Sequence, residues 1–510
     1  MSSAPIHTVP LAQRMTLSAD VVVVGLGAGG GMVFHDLVDA GFDVVGLELG
    51  RHFTSKDMSV QEEVMLPQLF SEGGGRATDD FGISILQGKG VGGSTLHNTN
   101  LCKRLPEELL DDWVVRFGLT DLAGKSLQDD FAAVEKLLNV HPVPDEHLNR
   151  NNLLVAKGIK SLGYRGGRLS HNRGALCRQS GFCELGCPND GKENADRALI
   201  RPAIAKAGRV FSEARVERIL SHRGAATGVS GVCVDPKTGA PIGEFKINAR
   251  HVVLAGSATG SAALVKKSDV PDPYRLAGTN LHLHPGAIVA GVFSEPVEAW
   301  LGIPQAIECT QFLEFGPKAK NRAWIVSGFA HPGAAAGFMP GFGPEHAKLM
   351  REYRNTAVLI TMLHDQTSGV VSPGAGEQIH VSYRLDRSDY DQLALGMRES
   401  ARILLAAGAQ KVFVPTRPAR WVTRATDLDA ITGATLGPLN PSLTAVHPMS
   451  TLWMGDHRKT SVVNPQGMHH HMKNLWVADG SLFPTSIGGP PQIPIYTFAR
   501  RVARAIAATS

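Results

Sequence analysis

The stretch Ala19–Gly50, ADVVVVGLGAGGGMVFHDLVDAGFDVVGLELG, decides how this chain folds. Its run from Asp20 to Val24 is dominated by β-branched residues and is too short for a helix, which predicts a buried parallel strand. Three glycines follow in the pattern G-x-G-x-x-G, at Gly25, Gly27 and Gly30. A helical pattern comes next, so the stretch predicts a strand, a glycine-rich turn and a helix in succession.

The parts of this stretch have separate physical roles. Gly25 permits a tight turn, Gly27 lets the backbone approach a pyrophosphate, and Gly30 allows the strand and helix to pack closely. The free N–H groups at the start of the helix attract an anion. A second strand, residues 42–47, runs into Glu48, which can accept a hydrogen bond from a ribose hydroxyl. An ordinary βαβ turn does not explain an acid at this place, so the sequence predicts a dinucleotide-binding unit.

The composition is that of an ordinary soluble globular protein. The chain has 510 residues, of which 43% are hydrophobic and 19% charged, so it is too long for one small core. A net charge of +4 without a run of Lys or Arg gives no indication of a nucleic-acid partner. No apolar run reaches transmembrane length and residues 1–20 lack the pattern of a signal peptide, so we expect a cytoplasmic protein without a transmembrane segment.

The order of patterns along the chain predicts an α/β fold with two domains. A strand pattern ending at Leu254 enters a small-residue turn and a helix, as in the first unit, so the chain returns to a Rossmann-like nucleotide-binding domain. Residues 286–440 alternate strands and loops, which predicts a substrate domain built on an antiparallel sheet with helices. We expect a flexible N-terminus at 1–18, the discontinuous nucleotide-binding domain at 19–105, 200–285 and 441–510, and the substrate-binding or cap domain at 106–199 and 286–440.

A second glycine-rich segment, QGKGVGGSTLHNTNLCKR, spans Gln87–Arg104. Its glycines, among them Gly92 and Gly93, are too dense for a helix and suit a backbone that packs against a flat ligand. The alternative is a flexible linker. The segment follows the apolar residues 83–86 directly and ends in residues untypical of linkers, which favours the ligand-binding interpretation.

Four separated blocks, at residues 25–48, 88–104, 446–455 and 474–499, together resemble the glucose–methanol–choline (GMC) oxidoreductase family, whose members oxidise alcohols with FAD. The resemblance implies FAD-dependent oxidation of a small-molecule alcohol to an aldehyde or ketone, with oxygen or another electron acceptor reoxidising the flavin. It leaves oxidase and dehydrogenase open. The alternative is a lyase on the same scaffold, with a flavin that takes no part in redox chemistry.

The resemblance also implies which residues hold FAD. The family's glycine signature is matched at Gly88–Ser94, its adenine-contacting backbone at 214–216, and its late V-x-D-x-S segment at 477–481. The implied FAD-binding residues are Gly25, Gly27, Gly30, Glu48, Gly92, Gly93, Ser94, His97, Asn98, Val216, Asp479 and Pro490.

The family's active-site histidine lies in an H-x-x-x-T-x-x-M-G context, which His447 begins here. The resemblance implies that His447 takes the hydroxyl proton as a base while a hydride passes to flavin N5; the alternative is a structural histidine. The family's second active-site position, usually His or Asn, is Pro490 in this chain, and proline offers no side-chain hydrogen bond. Either Gln492 supplies the missing amide as a second catalytic residue, or His447 works with another group.

Three further features resemble cofactor sites. Some relatives tether FAD through a histidine placed as His97 is; we favour a histidine that packs on the flavin without a bond. The spacing of Cys177, Cys183 and Cys187 is similar to a three-cysteine segment that holds an iron–sulfur cluster in bacterial sugar dehydrogenases. We favour a buried structural loop over a cluster and predict no metal site. The motif His282-x-His284-Pro285 resembles a family loop near the cofactor.

Overall fold

The computed structural model describes residues 7–8, 15–316 and 318–509. Of the flexible N-terminus expected at 1–18, residues 1–6 and 9–14 lie outside the described residues. The expectation was wrong for residues 15–18, which belong to the strand Met15–Val24. They pair in parallel with residues 245–248 of a later strand, a long-range contact that local sequence does not indicate.

The first sheet contains the predicted nucleotide-binding unit. The neighbouring strands Met15–Val24 and Val44–Leu47 run parallel, with the helix Ala28–Asp39 between them in sequence. Beyond Val44–Leu47 the chain adds two more parallel strands, and on the other side a parallel strand is followed by an antiparallel hairpin. The strand order is His7–Thr8, Arg209–Ser212, Val44–Leu47, Met15–Val24, Pro241–Leu254, Ala225–Val234 and Ala214–His222, with Leu475–Val477 parallel to the end of Pro241–Leu254.

The second sheet is antiparallel along its main path. Its order is Arg420–Val422, Lys411–Val414, Gly286–Val292, Thr356–Leu363, Ala323–Ser327, Ile307–Cys309 and Gly166–Arg168. The short strand Leu443–Ala445 meets this sheet at Gly286 and pairs in parallel with Ile83–Ile85. The helix Arg387–Ala407 packs on this sheet, with Leu393, Met397 and Leu404 buried.

The described residues also form two smaller sheets. One small sheet joins Leu101–Cys102, Ser170–Asn172 and Val140–Pro142, and a hairpin joins Val370–Pro373 and Ile379–Ser382. The remaining α-helices are Glu62–Leu69, Glu107–Phe117, Lys125–Leu137, Arg150–Ser161, Arg201–Ile204, Ser257–Lys267, Pro332–Phe338, Pro344–Glu352 and Gln492–Thr509. None of the described helices is long and apolar enough to cross a membrane.

The last helix, Gln492–Thr509, packs against the first helix, Ala28–Asp39. On another side, Arg501 and Arg504 contact the carboxylate of buried Asp130, at 3.1 and 2.5 Å. Asp130 lies on the helix Lys125–Leu137, so part of the segment predicted for the substrate domain contacts the nucleotide-binding side. The predicted domain boundaries stay a prediction.

Candidate active site

The first glycine turn has no room for side chains at two of its three glycines. Gly25 has φ +92°, and a Cβ atom there would lie 2.5 Å from the carbonyl oxygen of Ala255. A Cβ atom at Gly30 would lie 1.8 Å from the oxygen of Gly25, where the helix leaves the strand. These positions therefore need glycine for the turn and for close packing, the roles predicted for them.

The two predicted glycine segments meet at Gly27. A Cβ atom at Gly93, where φ is +54°, would lie 2.7 Å from the Cα atom of Gly27. The N–H of Gly92 donates to the carbonyl oxygen of Leu26 at 2.9 Å. A Cβ atom at Gly27 itself would meet only the Cα atom of Gly93, at 3.7 Å. The start of the first helix thus faces a narrow open space lined by backbone, which fits a pyrophosphate.

Glu48 lies buried at the end of its strand, where the sequence places it. Its carboxylate accepts hydrogen bonds from the backbone N–H groups of Leu26 at 3.0 Å, Gly50 at 2.9 Å and Gly90 at 3.2 Å. Burial raises the pKa of Glu48, against the lowering effect of these three bonds. Glu48 therefore holds both glycine segments together through their backbones.

The predicted adenine-contacting segment starts beside Glu48. The backbone N–H of Ala214 donates to the carbonyl oxygen of Glu48 at 2.9 Å. Two residues further on, Val216 pairs with Gly231 in the neighbouring strand. The structure thus places Val216 on the edge strand of the first sheet, which contains the nucleotide-binding unit.

Asp479 lies beside the first helix. Its carboxylate accepts from the hydroxyl of Ser261 at 2.6 Å and from the backbone N–H of Ser481 at 2.9 Å. Burial raises the pKa of Asp479, against these hydrogen bonds. The preceding carbonyl of Ala478 is so close to the helix that a Cβ atom at Gly29 would lie 1.6 Å from it. The late V-x-D-x-S segment is therefore part of the same cradle.

The segment after Gly93 carries His97, the candidate tether. His97 is buried against Phe70, with ring centroids 4.0 Å apart. Burial and then the charge of Lys192 lower the pKa of His97 to about 3. Its Nε2 atom has no hydrogen-bond partner among the described residues. Ser94 is exposed, and its hydroxyl accepts from the N–H of Gly88 at 2.8 Å. A buried nitrogen without a partner, beside two glycine-lined segments, fits a flavin dinucleotide.

Gln492 is joined to the segment that follows His97. Its Oε1 atom accepts from the Asn98 amide at 3.0 Å, and its Nε2 atom donates to the carbonyl oxygen of Leu101 at 2.7 Å. Both polar atoms of this amide are hydrogen-bonded to protein atoms, so in this structure Gln492 positions Asn98. Direct contact of Gln492 with a substrate stays a prediction. Pro490 is buried in the loop that leads into the last helix.

His447 follows the strand Leu443–Ala445 and is half-buried. Its Nδ1 atom lies 3.4 Å from the Nδ1 atom of His284, with the two rings perpendicular at 87°. Burial lowers the pKa of His447 to about 3, so the ring is neutral at neutral pH. The structure thus gives His447 a second histidine as its neighbour, where the sequence left open Gln492 or another group.

The sequence places His284 in a loop motif and predicts no role for its side chain. The side chain is 1% exposed, and its Nε2 atom accepts backbone N–H groups from Ile487 at 3.2 Å and Gly488 at 3.0 Å. The H-x-H-P motif is the feature of the sequence that could have indicated His284. Because 163 residues separate His284 from His447, their contact exists only in the folded chain.

Asp365 is a buried acid that organises this loop. Its carboxylate accepts from the backbone N–H groups of Leu283 at 2.9 Å and His284 at 3.3 Å, and from the hydroxyls of Tyr383 at 2.6 Å and Ser486 at 2.7 Å. Burial alone would raise the pKa of Asp365, but nearby His282 and these hydrogen bonds lower it overall. An ionised Asp365 therefore holds the His284 loop against the 486–488 loop.

The three clustered cysteines line a cavity beside Lys192. The Lys192 ammonium is buried and donates to the carbonyl oxygens of Leu96 at 3.1 Å, Asn98 at 2.5 Å and Cys183 at 2.9 Å. The described residues contain no group of three or more His, Cys, Asp or Glu side chains placed to hold a metal ion. The cysteine loop therefore contacts the His97–Asn98 segment through Lys192.

Comparisons with known proteins show the family of this chain. Two family models match this chain, at residues 66–286 and 367–499, and both are described as "GMC oxidoreductase". An uncharacterised GMC-type oxidoreductase of Mycobacterium tuberculosis is 32% identical over 492 residues, which are 95% of this chain and 75% of that protein. A long-chain-alcohol oxidase of Arabidopsis thaliana, FAO3, is 27% identical over 518 residues, 96% of this chain and 68% of the oxidase.

Among solved structures, pyridoxine 4-oxidase from Mesorbium loti is similar at a TM-score of 0.70 and 18% identity, covering 95% of this chain and 98% of that one. The chain belongs to the GMC oxidoreductase family and is an FAD-dependent oxidoreductase that acts on CH–OH groups. The predicted fold, a Rossmann-like FAD-binding domain joined to a substrate domain on an antiparallel sheet, is confirmed.

Proposed function

We propose that this protein oxidises a small-molecule alcohol to an aldehyde or ketone, with His447 at the reacting hydroxyl. The observation that carries the proposal is the half-buried, neutral ring of His447, which lies in the family's histidine motif and contacts buried His284. A neutral imidazole can accept a proton from a substrate hydroxyl near pH 7. The resemblance implies that His447 takes the hydroxyl proton as a base.

FAD, when bound, supplies the acceptor for the hydride at its N5 atom. The chain's part is to hold the dinucleotide and to exclude water around the hydroxyl. We propose that the glycine cradle and Asp479 hold the pyrophosphate and ribityl chain, that Glu48 and Val216 lie at the adenosine end, and that His97 packs against the flavin without a covalent bond. Gln492 keeps Asn98 in place through their amide contact. The residues proposed to hold FAD are Gly25, Gly27, Gly30, Glu48, Gly92, Gly93, Ser94, His97, Asn98, Val216, Asp479 and Pro490.

The proposal is tested by adding alcohols to the flavoprotein without oxygen and following the flavin absorbance. The panel contains sugars, aminoglycosides, sterols, aryl alcohols and long-chain primary alcohols, since one relative is a long-chain-alcohol oxidase. We expect at least one alcohol to bleach the yellow colour. A flavin that stays oxidised while the protein cleaves a hydroxynitrile would contradict alcohol oxidation and support the lyase alternative. Oxygen and dye acceptors, tested in parallel, separate an oxidase from a dehydrogenase.

A further inference from the structure

The helix Arg387–Ala407 covers one face of the antiparallel sheet. On that face the hydroxyls of Thr361 and Ser400 are hydrogen-bonded at 2.8 Å. Side chains alternate between the two faces along a strand. Every second residue of the strands Gly286–Val292 and Thr356–Leu363 therefore points away from this helix.

The second face of the sheet is apolar. A Cβ atom at Gly286 would lie 3.4 Å from Ile360 and 3.5 Å from Met362, so these residues share that face. The strand pairing extends it to a group that we call the apolar strip: Gly286, Ile288, Ala290, Trp324, Val326, Val358, Ile360 and Met362. Among these described residues the only polar side-chain atom is the indole nitrogen of Trp324, which donates to the carboxylate of Glu308 at 2.5 Å. A ligand that lies on the strip therefore meets hydrocarbon.

The apolar strip begins beside His447. Gly286 lies two residues after His284, whose ring nitrogen is 3.4 Å from that of His447. Thr444 pairs with Gly286 and lies three residues before His447. From Gly286 to Ala290 the strand rises by about 13 Å, comparable with an alkyl chain of about ten carbons. The strip thus leads away from the place proposed for the reacting hydroxyl.

The apolar strip also borders the segment proposed to hold the flavin. Leu101 packs in one cluster with three members of the strip, Trp324, Val326 and Met362. The carbonyl oxygen of Leu101 accepts from the Gln492 amide, which also bonds Asn98. The strip is thus joined to the loop of His284 through Gly286 and to Asn98 through Leu101.

Exposure distinguishes the two faces of the central strands. On the face covered by the helix, three residues are 0% exposed: Ala287, Val289 and Leu359. On the apolar strip, three residues of the same two strands stay partly exposed: Ile288, Ala290 and Ile360. Exposed apolar side chains on the face that begins beside His447 favour contact with an apolar ligand.

We infer that the apolar strip binds the hydrocarbon chain of the substrate, so that the protein prefers alcohols with such a chain to sugars and polyols. The inference rests on the proposed function, because the strip begins where His447 would hold the hydroxyl. Each methylene placed on the strip leaves water for an apolar surface, which is favourable. A sugar would turn hydroxyls towards Ile288 and Ile360, which offer them no hydrogen bond.

Chain length in the wild-type flavoprotein tests the inference. The value of kcat/KM is measured for primary alkanols from ethanol to dodecanol, and hexanol is compared with sorbitol, which has the same carbon chain and a hydroxyl on every carbon. We expect kcat/KM to rise about fourfold with each methylene until the strip is covered, and hexanol to exceed sorbitol by about a hundredfold or more. A preference for sorbitol, or a kcat/KM independent of chain length, would overturn the inference.

A binding measurement separates this inference from the proposed function. Decanamide has a hydrocarbon chain but no alcohol group, so its binding, followed through the flavin absorbance, needs no turnover. We expect decanamide to bind about a hundredfold or more tightly than acetamide. Equal affinities would contradict the inference. Tight binding of decanamide in a protein that oxidises no alcohol would support the strip as a hydrocarbon site and contradict only the proposed function.

A pair of variants places the chain on the strip. Ile360→Asn puts an amide in its middle, and the control Val370→Asn makes the same kind of change at a valine that is 39% exposed on the hairpin strand Val370–Pro373. We expect Ile360→Asn to keep its FAD, to lose about tenfold or more in kcat/KM for decanol, and to lose less than about threefold for ethanol. Val370→Asn should match the wild type with both alcohols. Equal losses of Ile360→Asn with decanol and ethanol would show that the chain lies elsewhere; if this variant fails to fold, the chain-length series in the wild type decides.

Discussion

Gly27 lies where the first helix begins, and a Cβ atom there would meet only the Cα atom of Gly93, at 3.7 Å. The fold therefore has room for a Cβ atom at this position, but the space is the one proposed for the pyrophosphate. We predict that Gly27→Val folds and is purified without flavin, as measured by the ratio of absorbance at 450 and 280 nm.

The matched control is Gly167→Val on the exposed strand Gly166–Arg168, where a Cβ atom would have nothing within 4 Å. This variant should keep its full flavin content. Fully loaded, yellow Gly27→Val would contradict the assignment of the cradle.

Burial also sets the pH behaviour of His447. An exposed histidine loses its proton near pH 6.5, but the pKa of His447 is lowered to about 3, so the ring stays neutral as the pH falls. The His447 ring binds a second proton only below this lowered pKa, so the ring is still neutral at pH 5. We predict that the rate of flavin reduction by an alcohol is flat between about pH 5 and pH 8. A rate that doubles or more through a step near pH 6.5, absent in His447→Gln, would show that His447 titrates as an exposed histidine does.

At the scale of elements, the last helix connects the first helix with the segment that carries Asn98. The amide of Gln492, at the start of this helix, bonds both Asn98 and Leu101. Removing it leaves buried polar groups without partners, which costs about 1–3 kcal/mol. We predict that Gln492→Ala lowers the free energy of unfolding in urea by this amount.

The control for this prediction is Gln466→Ala. Gln466 also donates from its amide, to Asp121 at 3.0 Å, but it is exposed. The change in its free energy of unfolding should stay within about 0.5 kcal/mol. A loss in Gln492→Ala no larger than in this control would mean that the amide contacts do not stabilise the junction.

The sequence predicted the elements whose pattern lies within a few neighbouring residues. The β-branched run before Gly25 and the glycines after it appear as the expected strand, turn and helix. The strand start was misplaced because Met15 is held by pairing with Phe245, more than two hundred residues away in the chain. Met15, Thr16, Leu17 and Ser18 alternate apolar and polar side chains, but so short a pattern does not identify the strand with which it pairs.

At the scale of the whole molecule, the candidate site is where distant segments converge. The sequence predicted the cofactor cradle because each glycine segment has its own motif. It could not predict that the loop of His284 packs against the loop of residues 486–488, since this contact depends on buried Asp365. For the same reason the sequence left open whether Gln492 or another group works with His447, and it did not indicate His284.

The proposed function depends on one step, the oxidation of an alcohol whose hydroxyl is held at His447. The most direct measurement is the stopped-flow rate of flavin reduction, without oxygen, by the best alcohol of the panel in the wild-type protein and in His447→Ala. His380→Ala serves as the control, because His380 is an exposed histidine on the hairpin strand Ile379–Ser382. We predict that His447→Ala keeps its FAD and reduces it slower by about two to four powers of ten, while His380→Ala matches the wild type. A near-wild-type rate in His447→Ala would contradict the claim and place the reacting hydroxyl elsewhere.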